Sequence, residues 1–229
     1  TGGASGLGRA TVKRFVAHGA RAAIFDMNAE KANQLVAEFP GKVIFCNVNV
    51  TSEESVQAGI AAAMDAFGAI HICCNFAGTG NAIRTMGKKG PFPLDEFNKI
   101  IQINLVGTFN VLRLCAEKMS DNEVINDDGG RGVIINTASV AAYEGQVGQA
   151  AYSASKGGVV GMTLPIARDL SVLGIRVNTI VPGLIATPLM MGGAEELTPE
   201  IWEFLKPLGE QVLFPRRLGD PDEIAHLAQ

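Results

Sequence analysis

The stretch Thr1-Gly2-Gly3-Ala4-Ser5-Gly6-Leu7-Gly8 runs without a break into a helical pattern over residues 6–18, and an apolar run over 21–26 follows. Glycines spaced G-x-x-x-G-x-G let the backbone turn tightly and approach a bound group closely. The first turn of a helix offers free N–H groups and a partial positive charge, so a glycine turn that feeds a helix suits a phosphate. Taken alone, the same stretch reads equally well as a plain tight loop.

Outward from this turn, short β-branched runs at 21–26, 42–48, 70–75, 132–138 and 176–181 alternate with helical stretches at 6–18, 29–39, 52–67, 96–119 and 149–173. Short, mostly apolar strands separated by helices are the pattern of a parallel sheet covered on both faces. The expected fold is therefore α/β, a Rossmann-type doubly wound sheet with helices on both sides. Thr51 with Glu54 forms a candidate capping box, Gly19 suits a C′ position, and Pro40-Gly41 stops the second helix,. Two inserts rich in glycine and polar residues, 79–93 and 120–131, are expected as surface loops,. Residues 192–206 read as a helical flap, with Trp202 and Phe204 as either lid or packing residues.

Composition narrows the function. The chain has 229 residues, 47% of them hydrophobic and 18% charged, and a net charge of −4. That is enough apolar material for a sizeable core, and it excludes disorder and a coiled coil. No basic run stands out, which argues against a nucleic-acid binder or a polybasic membrane anchor and leaves a small-molecule partner. Mean hydropathy is +0.21, but the long uncharged stretch 177–194 contains Asn178, Pro182, Gly183 and Pro188, so it reads as strand and loop, with no membrane insertion,. Cys46, Cys73, Cys74 and Cys115 lack C-x-x-C spacing and three histidines are scattered, which argues against a zinc site or a disulfide framework,. The cysteines are expected as small buried hydrophobes.

Three further features carry chemistry. Asp26 ends the strand after the glycine turn, where a carboxylate accepts hydrogen bonds from the ribose hydroxyls of an adenosine,. It would repel a 2′-phosphate, and no Lys or Arg lies between Gly2 and Gly8, so NAD is favoured over NADP. Tyr152 and Lys156 stand four apart on a helical stretch and share a face; the ammonium is expected to lower the phenol's pKa,. Ser139 follows an apolar strand, at the edge where parallel sheets bind ligands, and its hydroxyl suits a carbonyl oxygen that gains negative charge,. Each feature alone also fits a cap, a turn or chance spacing.

In company, these residues resemble the short-chain dehydrogenase/reductase family over nearly the whole chain. The motifs stand in order: T-G-x-x-x-G-x-G at Thr1 to Gly8, N-x-A-G at Asn75 to Gly78, Asn104 in Asn-Leu-Val-Gly, Ser139, Tyr152-x-x-x-Lys156, and 178–183 followed by Thr187. Residues 132–169, both inserts and the tail around 217–221 are similar to the branch of that family that acts on 3-hydroxyacyl-CoA. The resemblance implies an NAD-dependent enzyme that interconverts a secondary alcohol and a ketone, with a 3-hydroxyacyl-CoA, a hydroxysteroid or another secondary alcohol as substrate. A non-catalytic NAD-binding scaffold is the remaining alternative on this fold.

The resemblance also implies roles. Tyr152 would be the general acid/base, Lys156 would hold the nicotinamide ribose, Ser139 would polarise the substrate carbonyl, and Asn104 would keep a helix open for a proton-passing water chain. Gly2, Ser5, Gly6 and Leu7 would contact NAD at the turn, Asp26 at the ribose, and Asn49 and Val50 at the adenine. Phe76 and Ile185 would border it further along, and Gln146 would face the substrate. A homotetramer through 96–119 and 149–173 is implied, cytoplasmic in a bacterium or in the mitochondrial matrix of a eukaryote. A glycine turn at Thr1 needs a preceding strand and residue 229 falls within a helix, so 1–229 is expected as one dinucleotide-binding catalytic domain whose first and last strands lie outside this stretch. Two residues depart from the family pattern. Asn49 replaces the usual Asp, though its carbonyl is expected to accept from the adenine amino group, and bulky Phe76 replaces a small or polar residue.

Overall fold

The five expected strands and the helical stretches 6–18, 29–39, 52–67 and 149–173 appear within about two residues of their expected bounds. The computed structural model describes residues 1–194 and 198–229. Its first half comprises α1 (Gly6–Ala17), β1 (Ala22–Asp26), α2 (Ala29–Glu38), β2 (Val43–Asn47), α3 (Glu53–Phe67) and β3 (Ile72–Asn75). A small hairpin of β4 (Met86–Gly87) and β5 (Gly90–Pro91) follows, then α4 (Leu94–Ile101), α5 (Gly107–Ser120), β6 (Gly132–Thr137), α6 (Ala150–Ser171), β7 (Ile175–Ile180), α7 (Pro199–Gly209) and α8 (Pro221–Ala228).

The long strands form two parallel ladders, β1 with β2 and β3–β6–β7. Thr1 and Gly2 tie the two together. Gly2 N donates to Phe25 O at 2.8 Å, the Thr1 amine donates to Cys74 O at 2.8 Å, and Phe76 N donates to Thr1 O at 3.3 Å. The C-terminal ends of both ladders therefore meet at one edge. Below this tie, β1 and β3 flank a slot of about 360 Å³ lined by residues such as Ala22, Ile72, Cys73, Val111 and Cys115.

One apolar layer packs Ile24 and Val43 against Val16 of α1 and Leu35 of α2. A larger layer joins Ile134, Ile175 and Val177 to Val56 and Ile60 of α3 and to Val111, Leu112 and Met119 of α5. Helices thus cover both faces, as short apolar strands require. Three of the cysteines, Cys46, Cys73 and Cys115, are buried in the larger layer.

The structure corrects four local expectations. The α3 N-cap is Ser52, whose hydroxyl accepts from Ser55 N at 3.2 Å, while Thr51 turns to Asn49; there is no Thr51–Glu54 box. The stretch 96–119 is two helices joined through a π-helical turn, Gln102–Val106. The insert 79–93 is partly ordered as the β4–β5 hairpin. Within the expected flap 192–206, residues 195–197 lie outside the described residues, and helix α7 begins at Pro199 and packs Leu205 on Met191 and Leu218.

At the glycine turn the spacing is set by contact. A β-carbon on Gly8 would lie 2.3 Å from Gly2 O, and one on Gly2, whose φ is +62°, would lie 2.8 Å from Ala77 N. Only glycine lets the turn fold this tightly against the start of α1 and the loop after β3.

Candidate active site

Every parallel strand releases a candidate residue at its C-terminal end: Asp26 on β1, Asn49 and Val50 after β2, Phe76 after β3, Ser139 after β6 and Ile185 after β7. Because the ladders are parallel and tied at Thr1 and Gly2, these residues converge on one edge. Two adjoining cavities open there. The first, about 340 Å³, is bordered by Gly2, Ser5, Gly6 and Leu7 of the turn and by Asp26, Asn49, Val50 and Phe76. The second, about 400 Å³, is bordered by Ser139, Gln146, Tyr152, Lys156 and Ile185. Leu7, Phe76, Gly78, Thr187 and Leu189 border both, so a ligand can pass from one to the other.

The first cavity fits a dinucleotide. The turn leaves no β-carbon between the backbone and a phosphate, and α1 begins beneath it,. Asp26 Oδ2 accepts from Ala4 N at 3.0 Å and Oδ1 accepts from Asn28 N at 2.9 Å. Each carboxylate oxygen retains a second lone pair for a ribose hydroxyl. The helix that follows is capped by Asn28, so Asp26 is not its cap. Asn49 differs from expectation: its Oδ1 already accepts from Thr51 N at 3.0 Å and from the Thr51 hydroxyl at 2.9 Å. What it has left for a ligand is the amide nitrogen.

In the second cavity Tyr152 and Lys156 lie one helical turn apart on α6, as their spacing requires,. Lys156 is only 6% exposed. Its Nζ donates to Thr137 O at 2.8 Å and lies 5.8 Å from the centroid of the Tyr152 ring. Burial pushes this amine down to about 8. The Tyr152 phenol is pushed up from its ordinary value, chiefly by burial, with the hydrogen-bonded Ser139 hydroxyl opposing the rise. The expected lowering of the phenol by the ammonium is thus not what this geometry gives, since Nζ is directed at a carbonyl and lies against the ring. Ser139 also caps the short 3₁₀ turn after β6, its Oγ accepting from Ala141 N at 3.1 Å.

Asn104 borders neither cavity. It is fully buried at the π-helical turn, where Oδ1 accepts from Thr79 N at 2.9 Å and Nδ2 donates to Thr79 O at 2.8 Å and to Ser155 Oγ at 3.0 Å. Ser155 Oγ donates in turn to Tyr152 O at 2.7 Å. The residue therefore locks the start of the first insert to the helix that carries the tyrosine and lysine.

Sequence reasoning missed several wall residues of the second cavity. Thr79, Gly80, Asn81 and Ala82 come from an insert read as surface loop. Gln149 precedes Tyr152 by three residues and shares its face, a signal that helical spacing already held,. Its Oε1 accepts from Gln146 N at 2.9 Å and fixes the substrate-side loop. Trp202 and Phe204 border neither cavity, and Phe204 is 80% exposed.

The glycine cradle and the Ser139, Tyr152 and Lys156 side chains thus meet at the C-terminal edge of a parallel sheet. Residues 1–197 match the short chain dehydrogenase family model, and the chain belongs to that family. It is an oxidoreductase that works with a nicotinamide cofactor. It is 54% identical to 3-hydroxyacyl-CoA dehydrogenase type-2 of Rattus norvegicus, covering 100% of this chain and 85% of that protein. To the protein of the same name from Drosophila melanogaster it is 51% identical, over 100% of this chain and 88% of that one. The crystal structure of 3-hydroxyacyl-CoA dehydrogenase type-2 from Mycobacterium avium superposes with a TM-score of 0.89 at 43% identity, over 99% of this chain and 85% of that one.

The lysine shift has a measurable consequence. The folded amine titrates near 8 and the unfolded one near its ordinary 10.5, so between those values the unfolded chain binds the extra proton and stability rises with pH. Above about pH 9 the trend is opposed by buried thiols, since burial raises Cys46 and brings Cys74 up to about 12, and the Cys73 hydrogen bond with burial raises Cys115; the raised phenol adds to this near pH ~10,. Chemical denaturation isolates the lysine as a difference: the stability of the parent relative to Lys156→Met is expected to rise from about pH 8 to about pH 10,.

Proposed function

We propose that the chain interconverts 3-hydroxyacyl-CoA and 3-oxoacyl-CoA with NAD. The observation that carries this reading is the meeting of Ser139, Tyr152 and Lys156 in one cavity that shares a wall with the glycine cradle. A ketone placed there accepts hydrogen bonds from the Ser139 hydroxyl and the Tyr152 phenol. Bound NAD supplies or takes the hydride. In the direction of oxidation, Tyr152 removes the hydroxyl proton; in reduction it returns one to the carbonyl oxygen. Lys156, with its amine near 8, can hold or release a proton close to neutral pH. Asn104 positions α6 against Thr79 and so fixes the tyrosine relative to the substrate wall.

Several features favour a thioester. Aliphatic Leu184, Leu189 and Met190 border the cavity and suit an acyl chain. The same insert that supplies Thr79 to Ala82 continues into an exposed hairpin carrying Lys88 and Lys89, a cationic tip suited to the anionic nucleotide of CoA,. Relatives at 51% and 54% identity bear the 3-hydroxyacyl-CoA dehydrogenase name, which supports the assignment. The apolar wall also admits a hydroxysteroid, and a panel of both substrate types separates the two.

Asp26 supports NAD over NADP. Its carboxylate borders the first cavity, and Arg9, the first cation after the glycine turn, is paired with Glu38 at 3.2 Å. We further infer a homotetramer through α4–α5 and α6, on which Val106, Phe109 and Leu164 are exposed apolar residues,.

Three outcomes are expected. The protein oxidises NADH with acetoacetyl-CoA, read as lost absorbance, and Tyr152→Phe lowers kcat by about 10²–10⁴-fold while NADH still binds; unchanged turnover would overturn the mechanism. Asp26→Ala erodes the preference for NADH over NADPH, whereas equal kcat/KM for both in the parent protein would contradict the ribose argument. Sizing by light scattering gives a tetramer that Leu164→Arg shifts to smaller species; a monomeric parent overturns the assembly.

A further inference from the structure

Asn81 stands in the wall of the cavity that holds Ser139 and Tyr152, and both Oδ1 and Nδ2 are buried without a hydrogen-bond partner. A buried donor and acceptor left unpaired in one side chain are costly, and native folds keep few such groups. Its two neighbours fix its place. A β-carbon on Gly80 would lie 3.4 Å from Cδ2 of the Tyr152 ring, so the residue before Asn81 touches the proposed acid/base. On the other side Ala82 meets Gly148, whose β-carbon would lie 3.0 Å from the Ala82 carbonyl carbon, and Ile83 N donates to Gly148 O at 3.0 Å. Asn81 is held between the tyrosine and the loop of Gln146, and it does not border the Asp26 cavity.

The chemistry of the side chain selects its ligand. A carboxamide needs both a donor and an acceptor. Hydrocarbon answers neither need, and a ketone or thioester carbonyl only accepts. An amide carries both groups.

We propose that Asn81 is a specificity-determining residue whose carboxamide hydrogen-bonds a secondary amide that the substrate carries beyond its reacting ketone. The inference rests on the acyl-thioester reading above, in which the pantetheine arm places such an amide one ethylene spacer past the thioester sulfur. A turn about the side-chain torsions brings the carboxamide from the wall to the ligand. Asn81 thereby separates amide-bearing thioesters from other ketones of similar size.

The test compares three ketones: acetoacetyl-CoA, S-acetoacetyl-N-acetylcysteamine, which keeps the thioester and the first amide, and S-ethyl acetothioacetate, which has no amide. In Asn81→Leu, kcat/KM for the two amide-bearing ketones is expected to fall about tenfold while that for the S-ethyl thioester stays within about twofold. The KM for NADH stays unchanged, and Tm stays level or rises, because two unpaired polar atoms have been removed from the interior. Asn81→Asp keeps the shape and loses the donor, and it is expected to lower the same two substrates selectively even where the leucine variant folds poorly. An equal loss on all three ketones, a raised KM for NADH, or no loss at all overturns the proposal and leaves the thioester reading standing. A parent protein that reduces other ketones but neither amide-bearing thioester overturns both.

Discussion

The Asn104 side chain makes three hydrogen bonds while fully shielded from water, two to the backbone of Thr79 and one to Ser155 Oγ. Two of them close on the loop that leaves β3 and the third on α6, so one carboxamide fixes the distance between the substrate-side insert and the helix of Tyr152 and Lys156. The π-helical turn at Gln102–Val106 sits at this position; an extra residue in a helical turn redirects side chains and is a frequent feature of functional sites. Losing the carboxamide would strand buried partners on two elements, each at about 1–3 kcal/mol. The placement of Tyr152 and Lys156 therefore depends on a residue that borders neither cavity.

Burial shapes the electrostatics in both directions. It brings the Lys156 amine down to about 8 and raises the Tyr152 phenol, so each group is moved toward its neutral form,. The same dry surroundings strengthen every hydrogen bond to a developing oxyanion. What favours the phenolate is then local: the Ser139 hydroxyl, already opposing the phenol's rise. Thr137 O holds the Lys156 amine within the buried pocket, close to the Tyr152 ring.

The sheet was legible because its strands are short, apolar and separated by helices of ordinary length, and local pattern is enough to read that. The site residues at strand ends were legible for a related reason: Asp26, Ser139 and the Tyr152–Lys156 pair sit where topology alone sends them to one edge. The π-helical turn was not legible in periodicity, because 102–106 keeps the helical pattern unbroken; only the family resemblance pointed to an opened helix at Asn104. The direction of the Tyr152 shift was also hidden, since spacing places the lysine on the same face but says nothing of how far the phenol is buried, and burial is what raises it. Asn49 failed similarly: the residue lines the expected cavity, yet Thr51 takes both lone pairs of its oxygen.

The two cavities are built by different means, and this sets what can vary. The cofactor side depends on main chain and on missing β-carbons, since Gly8 and Gly2 lie so close to neighbouring backbone that a larger residue would displace the turn. Few substitutions can retune such a wall. The substrate side is made by side chains from the 79–82 insert, the loop of Gln146 and the segment after β7. Loops tolerate change that a strand or a glycine turn does not. Phe76, which borders both cavities and the slot between β1 and β3, stands where these regimes meet. The insert is therefore the part of the substrate-side wall where side chains can vary, while Asn104 holds its start to the helix of Tyr152 and Lys156,.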